Sequence, residues 1–129
     1  MKQNLHAVTL VVPDYDEAIS FYTGKLRFKL LKDLDLGGGK RWVLIAPPGS
    51  DGSALLLAKA DGPEQRAAIG SQTGGRVGFF LQTDDFHRDY SQMRANGVHF
   101  EEDPRSESYG TVAVWRDPYG NRWDLIQFT

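Results

Sequence analysis

Cysteine is absent from the 129 residues, which excludes a disulfide framework, a thiolate nucleophile and a Cys-ligated zinc. No apolar run approaches the roughly 20 residues of a transmembrane helix. The N-terminal MKQNLHAVTLVV lacks the long apolar core and small-residue cleavage site of a signal peptide. Neither sign of charge is in excess: 15 Lys and Arg stand against 17 Asp and Glu, a formal net charge of -2. Such a balance carries no electrostatic footprint for nucleic acid. The expectation is one cytoplasmic domain with no membrane or nucleic-acid partner. A chain of this length buries roughly two-thirds of its unfolded surface, enough for a core without staples.

What is present is organised around the C-terminus, YGTVAVWRDPYGNRWDLIQFT. Two β-rich runs, 111–116 and 122–128, flank Asp117-Pro118-Tyr119-Gly120-Asn121. Pro118 pre-sets φ and Gly120 can take a positive φ, so the segment reads as a β-hairpin. Alternation puts Trp123, Leu125 and Gln127 on one face and Asp124, Ile126 and Phe128 on the other. An acid among apolar residues on a strand face costs free energy unless something there uses it. Asp124 is therefore the first candidate for a functional site.

The remainder repeats one order of elements twice. Residues 5–12 read as a buried strand, and Asp14, with Glu17 three positions on, as the cap of a helix. Strands follow at 28–34, 41–46 and 53–59, separated by Gly37-Gly38-Gly39 and by Pro47-Pro48-Gly49. The connector, 61–74, has a short helical look at 64–69. A strand at 76–83, a helix capped by Asp84-Asp85, a strand at 98–101, a polar loop at 104–108 and the hairpin complete the chain. Shifting by 85 − 14 = 71 places Asp14 on Asp85, Tyr15 on Phe86, Leu10 on Leu81 and Ala7 on Gly78. The expected fold is α+β, one domain over 1–129 made of two βαβββ modules, 1–60 and 75–129. Their curved mixed sheets are expected to carry helices outside and to enclose one cavity.

Three stretches carry a resemblance over the whole chain: VTLVVPDYDEAISFY with KLRF after it, TDDF with MRANGV after it, and YGTVAVWRDPYGNRWDLIQ. In this order and spacing they resemble the vicinal oxygen chelate superfamily, which includes glyoxalase I, extradiol dioxygenases, fosfomycin-resistance enzymes and bleomycin-resistance proteins. Arg27 departs from the pattern, standing where the family usually has Gly. The resemblance implies a dimer, and in metal-dependent members two ligands from each half. Carried onto this chain, those positions are Ala7, a residue near Leu55, Gly78 and Asp124. One ligand-type side chain in four is too few for a divalent ion, which takes roughly three or more, so no metal cofactor is expected. His6 is one residue off the ligand position and alternation turns it away, short of a β-bulge. His87 and His99 read as surface or structural.

The expected function is therefore small-molecule binding without the family metal. The competing class is a metal-dependent lyase or dioxygenase of the glyoxalase type. Candidate ligand-binding residues are Arg76, Asp124, Tyr109, Gln82, Phe80, Trp42 and Trp115. Arg76 shares strand parity with Phe80 and Gln82 and offers a guanidinium for an anionic group, or for an ion pair with Asp124. The aromatic strand residues are expected either in the core or lining the cavity.

Overall fold

Asp14 starts the first helix as its side chain predicts. Its backbone is extended (φ -153°), and its carboxylate accepts the N–H of Glu17 at 2.8 Å, satisfying one of the orphan donors of the first turn. Asp85 repeats the device on the N–H of Arg88 at 3.1 Å. These two caps open the one long helix of each of two units, Met1–Ile69 and Gly70–Thr129, into which the chain divides in a computed structural model that describes residues 1–129. The fold is mixed α+β, with a curved sheet in each unit.

In the first unit the order is β1 (Ala7–Val12), α1 (Tyr15–Gly24), β2 (Lys29–Gly37), β3 (Lys40–Ala46), β4 (Ala54–Lys59) and α2 (Gly62–Ala68). The sheet order is β1-β4-β3-β2, with β1 parallel to β4 and the other pairs antiparallel. Leu10, Val12, Val43, Ile45 and Leu57 share the face toward α1 and are fully buried, as are Ala18 and Tyr22 of the helix. Tyr15 ties the two layers, its hydroxyl accepting the N–H of Arg41 at 3.1 Å. Arg27 holds φ +62° in the turn between α1 and β2, the left-handed conformation that Gly adopts without penalty. The helical look at 64–69 is realised as α2, starting two residues earlier.

In the second unit the order is β5 (Phe79–Gln82), α3 (Phe86–Ala95), β6 (His99–Phe100), β7 (Arg105–Glu107), β8 (Gly110–Arg116) and β9 (Arg122–Phe128). β9 is central, parallel to β5 and antiparallel to β8. The hairpin forms in the expected register, and Asp117 fixes its turn by accepting the N–H groups of Tyr119 and Asn121 and the amide of Asn121, at 3.0, 2.8 and 2.7 Å. Two expectations need correction. The polar loop 104–108 contains a strand, β7, paired to β8 with Arg105 opposite Val112. β5 begins at Phe79, so Arg76 precedes the strand and lies exposed. The segment before it is held to the hairpin turn by Gly70, whose absent side chain admits the carbonyl of Tyr119.

Trp115, Trp123 and Leu125 point to the α3 side and are buried with Phe86 and Met93. Gln127 joins that side by accepting the Phe86 N–H at 2.8 Å. The two indoles stack at 4.9 Å, and Phe79 stacks on Trp123 at 4.8 Å. Asp124 is consequently on the face away from α3.

Candidate functional site

Asp124 sits in the middle of the central strand, with Phe80 as its partner on β5 and Val114 as its partner on β8. Val112, Val114 and Ile126 on the same face are buried, whereas Phe80 is 66% exposed. One carboxylate oxygen of Asp124, Oδ1, is sealed from solvent and has no hydrogen-bond partner. Burial therefore pushes its carboxyl above the ordinary aspartate value. Arg105 opposes the rise, Glu102 adds to it and Arg122 opposes it. A buried acceptor left unpaired costs on the order of 1–3 kcal/mol, so it calls for an explanation in strain, in function or in a water or ion that completes it.

Two ionic networks frame this carboxylate. In the first, Arg105 donates to Glu102 at 2.9 Å and to Glu107 at 2.8 Å, and the Tyr109 hydroxyl also bears on its guanidinium. β6 and β7 both pair with β8 but leave a gap between them. Glu102 fills it, its carboxylate accepting the Val114 N–H at 3.1 Å. In the second, Glu101 accepts from Arg122 at 2.9 and 3.0 Å and from Arg116 at 2.6 Å, and these bonds, that of Arg122 most, pull its carboxyl down to about 2. Arg122 is further held by the Gly75 carbonyl at 3.0 Å. Three carboxylates thus pair with three guanidiniums, and Asp124 forms no ion pair.

The candidate residues divide by their place in the two sheets. Phe80 and Gln82 share the face of Asp124, and Tyr109, 46% exposed in the β7–β8 turn, bears on Arg105 and not on Asp124 itself. Arg76 forms none of the ion pairs of this unit, and the charges acting on Asp124 come from Arg105, Glu102 and Arg122 instead. Trp115 is core: its pairing with Trp123 puts it on the α3 side, with no exposed surface. Trp42 belongs to the first unit, 36% exposed on the sheet face away from α1. Arg105, Glu102, Glu101 and Arg122 were missed. The available signal was the alternation Arg105-Ser106-Glu107 ahead of the turn at Tyr109-Gly110, which is a strand pattern closing on a hairpin.

The position equivalent to Asp124 in the first unit needs a one-residue correction. Phe80 corresponds to Thr9 in the repeat, and Thr9 pairs with Leu56, so Leu56 takes the place that sequence reading gave to Leu55. Leu55, opposite Ile45, faces α1. The ladder from Ala7–Ala54 to Val12–Lys59 runs without a register shift, so no bulge returns His6 to the other face. Ala7, Leu56, Gly78 and Asp124 supply a methyl, an isobutyl, a hydrogen and one carboxylate. Neither unit's pair of positions carries the ligands of a divalent ion, and no three His, Asp or Glu side chains elsewhere in the chain are grouped to hold one.

Known proteins resemble this chain along its full length. The sequence model of the Glyoxalase/Bleomycin resistance protein/Dioxygenase superfamily matches residues 4–125. An uncharacterized protein of Shewanella frigidimarina (strain NCIMB 400) is 55% identical over 128 residues, 98% of this chain and 95% of its own. Among solved structures, UcmS2 is 31% identical with a TM-score of 0.83, covering 98% of each chain. TnmS3, an antibiotic binding protein from Streptomyces sp. CB03234, is 28% identical with a TM-score of 0.78, covering 100% of this chain and 98% of its own.

Proposed function

We propose that this chain, which belongs to the Glyoxalase/Bleomycin resistance protein/Dioxygenase superfamily, is a metal-free binding protein for a small organic molecule. The observation that carries this reading is the Asp124 carboxylate, half-buried with one oxygen unpartnered beside the exposed ring of Phe80. A buried polar atom next to an uncovered aromatic is the usual composition of a ligand seat, apolar area with a few directed polar groups. The structural likeness to TnmS3, an antibiotic binding protein, supports the same class. It leaves the identity of the ligand open, since one fold hosts many functions.

A homodimer in the cytoplasm is part of the proposal. No helix of the chain is long and apolar enough to cross a membrane. Leu30, Leu31, Leu34 and Leu36 of β2 are 43–54% exposed, and an edge strand so apolar is commonly covered. Light scattering should give twice the 14.4 kDa of the chain; a monomer at tens of micromolar would remove the dimer from the reading.

The test of binding is a thermal-shift screen of metabolites and drug-like compounds, run with and without nickel, zinc, manganese and ferrous iron. Ligands of the native state raise Tm, and the expected hits are organic molecules whose effect is indifferent to metal. Near-stoichiometric metal in untagged protein, lost in Asp124→Ala, would overturn the metal-free reading and favour a glyoxalase-type lyase or dioxygenase.

A further inference from the structure

Charge decides what kind of group can complete Asp124. Around it, Arg105 is committed to Glu102 and Glu107, and Arg122 and Arg116 are committed to Glu101. None of these guanidiniums donates to Asp124, whose Oδ1 is sealed and unpartnered, so Oδ2 is the oxygen open to a ligand. Asp124 is the acid here without an ion-pair partner, and the partner it lacks is a cation. No further His, Asp or Glu is grouped with it to hold a metal ion. The group that fits is an organic cation with N–H donors, because an ionised donor adds the attraction of opposite charges to the hydrogen bond. Beside the carboxylate, Phe80 stands 66% exposed as its strand partner, an apolar face for a flat ring.

We propose that this seat takes a flat aromatic molecule carrying a cationic nitrogen group, an amidine or protonated amine, whose N–H donates to Asp124 while its ring lies on Phe80; the inference rests on the binding reading above. Selectivity against anions follows from the same unpaired carboxylate. Neutral analogues of equal shape can still donate an N–H to the carboxylate but lose the attraction between opposite charges.

The experiment uses three probes of one shape: 4-aminobenzamidine, 4-aminobenzamide and 4-aminobenzoate. Each is titrated into the full chain labelled with nitrogen-15, and the amide signals of Phe80, Val114 and Asp124 are followed. The amidine is expected to shift them saturably, with the amide at least about tenfold weaker and the benzoate without effect. Asp124→Asn, nearly isosteric, should lose at least about tenfold in amidine affinity while binding the neutral amide as before. Phe80→Ala should weaken both. Equal affinity for all three probes, or an unchanged amidine affinity in Asp124→Asn, overturns the cation assignment and leaves the binding reading standing. If none of the probes moves these signals the inference falls, and the ligand screen then decides the binding reading by itself.

Discussion

Asp124 and Leu56 hold the same place in the two units: Leu56 is the strand partner of Thr9, and Asp124 is the partner of Phe80, the counterpart of Thr9 in the repeat. One position is thus apolar in the first unit and acidic in the second. Asp124→Leu, which copies the first unit, should stabilise the free protein by about 1–2 kcal/mol at neutral pH by removing an unpaired buried acceptor. The sign follows from linkage. A carboxyl raised in the fold ionises first in the unfolded chain, so its contribution falls as pH rises from the ordinary 3.8 through the raised folded value. Urea unfolding at pH 7 and pH 3 checks this: the gain should be present at pH 7 and shrink at pH 3. A variant less stable than wild type at pH 7 would show that Asp124 is satisfied in the native protein.

Glu101 acts in the opposite sense. Its pairs with Arg122 and Arg116 depress its carboxyl from 4.5 to about 2. The stability it contributes is complete above about pH 4.5 and is lost as pH falls toward 2. Glu101→Gln should cost about 1–2 kcal/mol at pH 7, discounted to that range because the pairs are partly exposed and screened by solvent. The difference from wild type should close on acidification across that window, followed by denaturant midpoints at several pH values.

Arg27 sits at φ +62°, where a side chain costs roughly 1–2 kcal/mol relative to Gly. Arg27→Gly should raise stability by about 1 kcal/mol and Tm by about 3–5 °C. Arg27→Ala keeps the strained backbone and should give no gain. Calorimetry on the three proteins separates relief of backbone strain from loss of the arginine side chain.

Gly70 lies against the hairpin turn, and a Cβ there would fall 1.8 Å from the carbonyl oxygen of Tyr119. Because the obstacle is backbone, the segment must move. Gly70→Ala should cost about 2–4 kcal/mol, and its amide exchange should rise at Tyr119, Gly120 and Asn121. Wild-type stability in this variant would mean that the segment does not pack on the turn in solution.

The order of elements, the two helix caps and the C-terminal hairpin follow from local chemistry, because a cap needs one side chain and a turn needs two or three residues. Strand alternation likewise places Asp124 and Trp123 on opposite faces from sequence parity alone. Strand ends and strand neighbours are different, since they depend on which backbone groups find partners far along the chain. Hence β5 starts at Phe79 and leaves Arg76 outside, and 105–107 becomes a strand only because β8 offers it an edge. The same long-range pairing shows that Leu56, one residue beyond the expected Leu55, matches Asp124. It also assembles Glu101, Glu102, Arg105, Arg116 and Arg122 around Asp124. An acid on a strand face is legible as an anomaly. That its neighbouring arginines are already taken by other carboxylates is decided only when tertiary pairing brings those strands side by side.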